Sequence, residues 1–492
     1  MQQLSNLIVD YFPNIATYFT GIVFVIFLIL NISDDFDKIS GFVKRIFNLR
    51  KHVDTLIYAK KRKKYNKTLY DNEYLKWQQT IIEKIYGDLI TAKNAEFERE
   101  YEGKDFAPHI DFTRLNLQDK SQTYEAVTLR LKPVDYPFTD ICSKEFLTRR
   151  KDLEDKEDKI KLKYRKEVNK YYRLIKQTLK YPNRLGYMLD DLVFDAENDK
   201  LPWYVTAHSG VYSDNLKTSH ILEYELYGLY VKDKKHNWNI KDKSREEILD
   251  RLPIRKYIHK KFADEAQSST QRLECEADIL TSGRYRSSLL GVQMFVMVKN
   301  HAGNYDALRI RRSINVIAKP GFIQFIPSGG FEAANDCTDL DSQWDNYSIT
   351  KAVFRELLEE CFGMDEDDRS IAANNISPDR IYNNKHIAKL VHMLDSDDGR
   401  AHMQLMGTSM SLVGLRQELS FILRVDDPDF SLDFIGNYES RSAIHMIDVK
   451  VLEDAKFWMN DDLAKLNCTS AGLYELARES QMYKFALDIT TL

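Results

Sequence analysis

The hexapeptide Arg355-Glu356-Leu357-Leu358-Glu359-Glu360 restricts its surroundings more than any other stretch of this 492-residue chain. Written as a helix, it places Glu356, Glu359 and Glu360 at i, i+3 and i+4, on one face. Three carboxylates so arranged repel one another, so the chain must give them either open solvent or a bound cation. They therefore form either an acidic, solvated helix face or a platform for magnesium, a hard cation that sits between carboxylates and substrate phosphates. Ser348 is suited to cap the start of this helix and Gly363 to end it, so a helix is expected over 348–362.

The stretches on either side read as strands. Val292–Val298 is a short apolar run of the buried-strand type, and Lys299–Asn304 is a turn. Leu308–Ile314 alternates as a second strand. Gly321–Ile326 is a third, leading into Pro327-Ser328-Gly329-Gly330-Phe331-Glu332. Downstream, Met403–Val413, Leu415–Val425 and Ser442–Val449 alternate as strands, and Thr469–Glu479 reads as a closing helix.

The chain is long enough for about three domains, and its 43% apolar content supplies cores for them. A net charge of −4 gives no general signal for DNA or RNA. The five cysteines show no CxxC pair and no zinc spacing, so free thiols are expected. At the N-terminus, Tyr11 to Ser33 contains no charged residue, and the apolar run from Ile15 through Gly21 to Ile32 is the length of a bilayer crossing. No Lys or Arg precedes it and no small-residue cleavage site succeeds it, which favours a retained single-pass anchor over a signal peptide. Basic residues come next at Lys38, Lys44, Arg45, Arg50, Lys51 and Lys60-Lys61-Arg62-Lys63-Lys64, so the positive-inside rule puts the N-terminus outside and the remainder in the cytoplasm. The apolar positions between Phe36 and Ile57 recur at helical spacing, which suits a helix lying on an anionic leaflet or an oligomerisation helix.

The middle region reads as helical and α+β. Helices are expected over Glu73–Ile90, 144–180, Thr218–Tyr227 (capped by Thr218 or Ser219) and Ser244–Leu252, with short strands at Gly186–Asp190 and Trp203–Gly210. His208 and His220 lie beside aromatics. Both suit a recognition pocket, although hydrogen-bonded core histidines are the more frequent case. The resulting division is an anchor over 1–34, a basic juxtamembrane helix over 35–67, a middle domain over 68–285 and a C-terminal domain over 286–492.

The succession of strand, hairpin, strand, Gly329-Gly330 and a helix bearing Arg355–Glu360 resembles the Nudix box, whose core is Arg-Glu-aliphatic-X-Glu-Glu. The stretch from Gly330 to Arg355 is longer than the family pattern, and Tyr347 falls where the pattern's middle glutamate would be in register. One extra residue also precedes Gly363-Met364. The resemblance implies an α+β chain ending in a Nudix α/β/α sandwich with a mixed sheet. It further implies Mg2+ or Mn2+ on Glu356, Glu359 and Glu360, with Arg355 holding a glutamate in place, and a nucleotide diphosphate near Gly329 and Gly330. Arg355 and Glu360 are implied as catalytic, and Glu360, Glu418 and Glu439 are the candidate bases. Asp339 and Asp341 lie in the inserted stretch.

Anchor, middle region and Nudix-like end together resemble the membrane-anchored Nudix effectors of bacterial cyclic-oligonucleotide antiphage signalling. That likeness implies residence in the bacterial inner membrane and a nucleotide ligand, for example a cyclic di- or oligonucleotide. It also implies homo-oligomerisation on activation and damage to the membrane. The alternative is a membrane-tethered pyrophosphohydrolase of a nucleoside diphosphate-linked compound.

Overall fold

The computed structural model describes residues 55–117, 120–138, 141–148, 160–176, 185–198, 200–313, 316, 319–333, 344, 346–363, 381–435, 444–458 and 463–488. The expected span Ile15–Ile32 with Gly21, the juxtamembrane stretch up to residue 54, and Asp339, Asp341, Met364 and Glu439 lie outside the described residues. Among the described residues no helix is long and apolar enough to cross a membrane. The chain divides into two units. One is Met1–Lys67 with Arg173–Gln177, within which 55–67 are helical. The other is Thr68–Tyr172 with Thr178–Leu492, a compact body that takes in residues on both sides of 285/286.

This second unit is α+β and is built on a mixed nine-stranded sheet. In chain order the strands of the unit are β1 (His109–Leu117), β2 (Lys120–Asp135), β3 (Leu147–Thr148), β4 (Leu185–Phe194), β5 (Trp203–Val211) and β6 (Gly291–Lys299). They continue with β7 (Tyr305–Arg311), β8 (Ile323–Phe325), β9 (Ser328–Gly330), β10 (Ala401–Ser411), β11 (Arg416–Val425) and β12 (His445–Asp448). The large sheet runs β1-β2-β10-β11-β6-β7-β12, with β8 on β7 and β9 on β6; the small one runs β3-β5-β4. In the large sheet β11 and β6 are parallel and the other pairs antiparallel. β6 is buried along nearly its whole length, as its unbroken Val-Gln-Met-Phe-Val-Met-Val run predicts for a strand covered on both faces.

Five helices support this sheet and its glycine strand: α1 (Asn72–Glu100), α2 (Ile221–His236), α3 (Pro253–Ala263), α4 (Ile349–Cys361) and α5 (Cys468–Glu479). Strand pleating sends alternate residues to opposite faces. Phe295 and Met297 of β6 share a core with Phe325, Ile422 and Tyr474 of α5, and the Phe295 and Tyr474 rings stack at 5.6 Å. The other face receives α4, which contacts β6 and β9.

Several expectations are corrected by long-range pairing. Helix does not extend from residue 144, because Lys144–Phe146 form a 3-10 turn, the Phe146 ring stacks on Tyr204 at 4.0 Å, and Leu147 pairs with Ala207 in a parallel bridge. Thr218 and Ser219 cap nothing. They lie in a five-residue π turn, Leu216–His220, that runs straight into α2. There the Ser219 hydroxyl donates to the Ser287 carbonyl at 3.1 Å, and the Ser287 amide donates to the Thr218 hydroxyl at 2.8 Å. Strands β1 and β2, which the sequence alone does not suggest, extend the main sheet at its edge.

The tip of the β10–β11 hairpin is held by two buried arginines. Arg255 of α3, fully buried, donates Nη1 to the Leu412 carbonyl at 2.8 Å and Nη2 to the Val413 carbonyl at 2.6 Å. Arg286 donates Nε and Nη2 to the Leu415 carbonyl at 3.1 and 3.0 Å, and burial pushes its pKa down to about 9. Leu415 itself has a left-handed backbone (φ 53°), which closes the turn. Behind Arg255 a buried chain continues through the Tyr86 hydroxyl to His259 Nε2 (3.2 Å), then from His259 Nδ1 to Glu276 (2.8 Å) and on to Arg245 (2.5 Å). Burial drives the His259 pKa down to about 4 despite the opposing pull of Glu276.

Two outcomes are expected. Arg255→Met leaves two buried carbonyls and a hydroxyl without their donor, and should lower unfolding stability by about 3 kcal/mol in urea titrations. His259 is neutral when folded down to about pH 4 but protonates near 6.5 when unfolded, so the unfolded state holds the extra proton between these values. Stability therefore falls with acidification across that window by about 1.4 kcal/mol per pH unit from this group. The stability-versus-pH slope of His259→Gln should be shallower by that amount between pH 6.5 and 4.

Candidate functional site

Helix α4 begins as its sequence dictates. The Ser348 hydroxyl accepts the Lys351 amide at 3.4 Å, and Gly363, with φ 66°, comes after its last turn. Its apolar residues Val353, Phe354, Leu357 and Leu358 are fully buried. That packing fixes the rotation of the helix and turns Glu356 and Glu360, one turn apart, toward β9.

The contact with β9 is a three-way bracket. Arg355 donates Nη2 to the Gly330 carbonyl at 2.8 Å and to Glu356 Oε1 at 2.7 Å, and Nη1 to the Glu332 carbonyl at 2.5 Å. One turn on, Glu360 Oε2 accepts the Ser328 amide at 2.7 Å. Arg355, Glu356 and Glu360 are all buried, whereas Glu359 is partly exposed. Gly329 is required by space. A Cβ there would stand 2.0 Å from Glu356 Oε2, so the carboxylate occupies the volume that any other residue would fill.

The glycine strand is also held from its far side. The Tyr187 amide donates to the Phe331 carbonyl and the Ala333 amide to the Leu185 carbonyl, both at 2.9 Å, so β4 continues the ladder just past Gly330. Tyr187, Phe331 and Tyr347 pack as a ring trio: Phe331 and Tyr347 stack at 5.4 Å, and Tyr187 lies tilted against Phe331 at 4.7 Å. Tyr347, which takes the place of the pattern's middle glutamate, is a packing residue here.

The other sequence candidates fall elsewhere. Glu418 pairs in register with Gly291, which pairs with Gly330, so these three share the face opposite to Gly329 and Glu356. His208 is buried, with Nδ1 2.8 Å from an Asp190 carboxylate oxygen on the β4–β5 hairpin. Apart from these candidates, Glu223 of α2 turns to Lys319, whose ammonium lies 2.6 Å from Glu125 and 3.7 Å from Glu223. Ser328 joins the site without any signal in the sequence. Its part is played by a backbone amide, which no side-chain pattern announces.

The donor set of α4 is oxygen only, which suits magnesium or manganese and not zinc. Among the described residues no three His, Cys, Asp or Glu side chains converge to hold an ion alone. Glu356 is held by Arg355 and Glu360 by the Ser328 amide, and Glu359 lies on the same helical face. The chain matches no protein-family model and no curated protein.

Gly329→Ala should push Glu356 off its seat. Manganese affinity, measured by electron paramagnetic resonance, is expected to fall about 10–100-fold, the range for losing a positioning contact at a metal site.

Proposed function

We propose that this chain is a membrane-anchored effector of antiviral signalling in bacteria, whose Nudix-like helix and Gly329-Gly330 strand bind or process a nucleotide signal. In this reading the N-terminal segment spans the inner membrane, the sheet-bearing unit is cytoplasmic, and ligand binding draws copies together. Clustering of tethered modules raises their effective concentration, and a lone transmembrane helix needs such clustering to perturb a bilayer. The observation that carries the nucleotide-binding part is the bracket of Arg355 on Gly330 and Glu356. It supports a site prepared for phosphate oxygens and a divalent cation.

Glu356, Glu359 and Glu360 would hold Mg2+ or Mn2+, which offsets phosphate charge and lowers the pKa of an attacking water. Arg355 fixes the position of Glu356 and ties it to the backbone of β9. The same bracket favours a second reading, a membrane-tethered pyrophosphohydrolase of a nucleoside diphosphate-linked substrate, because a site that only binds does not need its carboxylates so closely positioned.

The test uses the full chain in detergent with magnesium, presented in turn with cyclic dinucleotides, cyclic oligonucleotides and linear nucleoside diphosphate derivatives. Turnover and oligomeric state are both scored. Assembly on a cyclic nucleotide is the expected outcome; turnover of a linear diphosphate with no response to any cyclic nucleotide would replace the effector by the hydrolase. Glu359→Gln should abolish any turnover and leave ligand binding in place.

A further inference from the structure

Residues 160–172 run as helix, with a turn at Tyr164, and the stretch has two unlike faces. Ile160, Val168 and Tyr171 are buried. On this side the contacts are aromatic. The Tyr164 hydroxyl donates to the Pro253 carbonyl at 2.9 Å, its ring meets Tyr257 of α3 edge-on at 6.0 Å, and Tyr171 lies tilted against Tyr224 of α2 at 5.3 Å. At about 3.6 residues per turn, Leu162, Arg165, Lys166 and Asn169 fall on the opposite side. All four are exposed, Leu162 to 73%. Lys163 and Lys170, also exposed, border that face.

The cations of this region form two sets. One set is paired: Lys161 and Lys217 lie 3.0 and 3.7 Å from Asp214, and Lys256 is paired with Asp250. Lys163, Arg165, Lys166, Lys170 and Lys261 make no ion pair among the described residues. Two of them share one ring instead. Lys163 Nζ is 4.6 Å and Lys261 Nζ 5.9 Å from the centre of Tyr257, while Lys170 Nζ stands 6.0 Å from that of Tyr224. Glu167 is the one acidic residue of the stretch.

Like charges gathered in this way repel one another. The tyrosine rings offset part of that cost, and an anionic surface would offset the rest. Two features select a lipid surface. The cations follow an outward helix face, on which Leu162 to Lys170 spans about 12 Å; that suits a plane of headgroups better than a single phosphate. Leu162 stands among them, and an apolar side chain gains from an acyl boundary and not from the phosphates of a nucleic acid. Lysine stems can lie along apolar surface while their ammonium groups stay at headgroup level.

We infer that the outer face of 160–172, with Lys261 of α3 beside it, docks on an anionic lipid surface. Leu162 enters the boundary between headgroups and acyl chains, and the lysines and Arg165 hold lipid phosphates. This face is separate in sequence from the basic run Lys60–Lys64. That the lipid belongs to the inner membrane rests on the function proposed above; the recognition of anionic headgroups does not.

Lysine footprinting tests this on the full chain in nanodiscs of phosphatidylcholine, with or without phosphatidylglycerol. Acetylation of Lys163, Lys166 and Lys170, read by mass spectrometry, should be slower by about threefold or more on the anionic discs. The exposed Lys450 serves as the internal standard and should not change. The difference at Lys163 and Lys170 should disappear in Leu162→Glu and in Arg165→Glu/Lys166→Glu, with an unaltered melting temperature because these side chains are exposed. Equal labelling on both discs, a slowing shared by Lys450, or protection that survives both variants overturns the docking face. Protection by a single-stranded oligonucleotide in detergent, with none on anionic discs, overturns it in favour of nucleic acid. Insertion of the N-terminal segment without protection would remove this face and leave the proposed function standing. Protection on anionic discs without insertion would keep the face and remove the anchor.

Discussion

The sheet-bearing unit depends on the insertion of Arg255 and Arg286 into the tip of the β10–β11 hairpin. Neither guanidinium meets a carboxylate there. Each is solvated by the carbonyls of Leu412, Val413 and Leu415, groups that a hairpin end would otherwise turn to water. Removing a guanidinium from water is costly, so this arrangement persists only because its donors are met at hydrogen-bond distance. The result fixes register. A hairpin tip gripped at the Leu412, Val413 and Leu415 carbonyls cannot slip, and β11 sets the position of its parallel partner β6, and through β6 that of β9.

From that register the candidate site is reached in a few steps. Gly329 faces α4 because Gly330 and Gly291 face the other way. Glu356 fits because Gly329 has no side chain. Arg355 then does more than balance charge: with one guanidinium it joins two backbone carbonyls of the glycine segment to a carboxylate of the helix. Planar, multi-donor geometry is what arginine supplies and lysine does not. On the opposite face the same pair of strands brings Arg416 and Glu418 over Gly291. Adjacent glycines in adjacent strands thus serve both faces.

Much of this is legible locally. The cap at Ser348, the stop at Gly363 and the acidic turn between them are short-range signals, and they place α4 to within a residue. The apolar run of β6 and the alternation of β10 and β11 are equally readable. What the chain does not disclose depends on partners far away in sequence. Strand β1 breaks its alternation at a bulge between Phe112 and Arg114, and its membership of the main sheet is decided by β2 and β10. The charge-rich stretch after residue 144 reads as helix until Phe146 finds Tyr204 and Leu147 finds Ala207. Thr218 and Ser219 look like caps until Ser287 claims them. At the site, the carboxylates are visible in the sequence, while their backbone partners Ser328, Gly330 and Glu332 are only implied by the glycines.

The ladder between β4 and the segment just past Gly330 has a mechanical meaning. Phe331 and Ala333 are tied to Leu185 and Tyr187 by backbone bonds, while Arg355 grips the carbonyls of Gly330 and Glu332 within the same few residues. The β4–β5 hairpin and helix α4 therefore hold one short rod of backbone from its two sides. Any shift of the hairpin by a fraction of an ångström is delivered to the oxygen that anchors Arg355, and so to the seat of Glu356. A disturbance far along the chain would need no new contact at the carboxylates to alter their spacing.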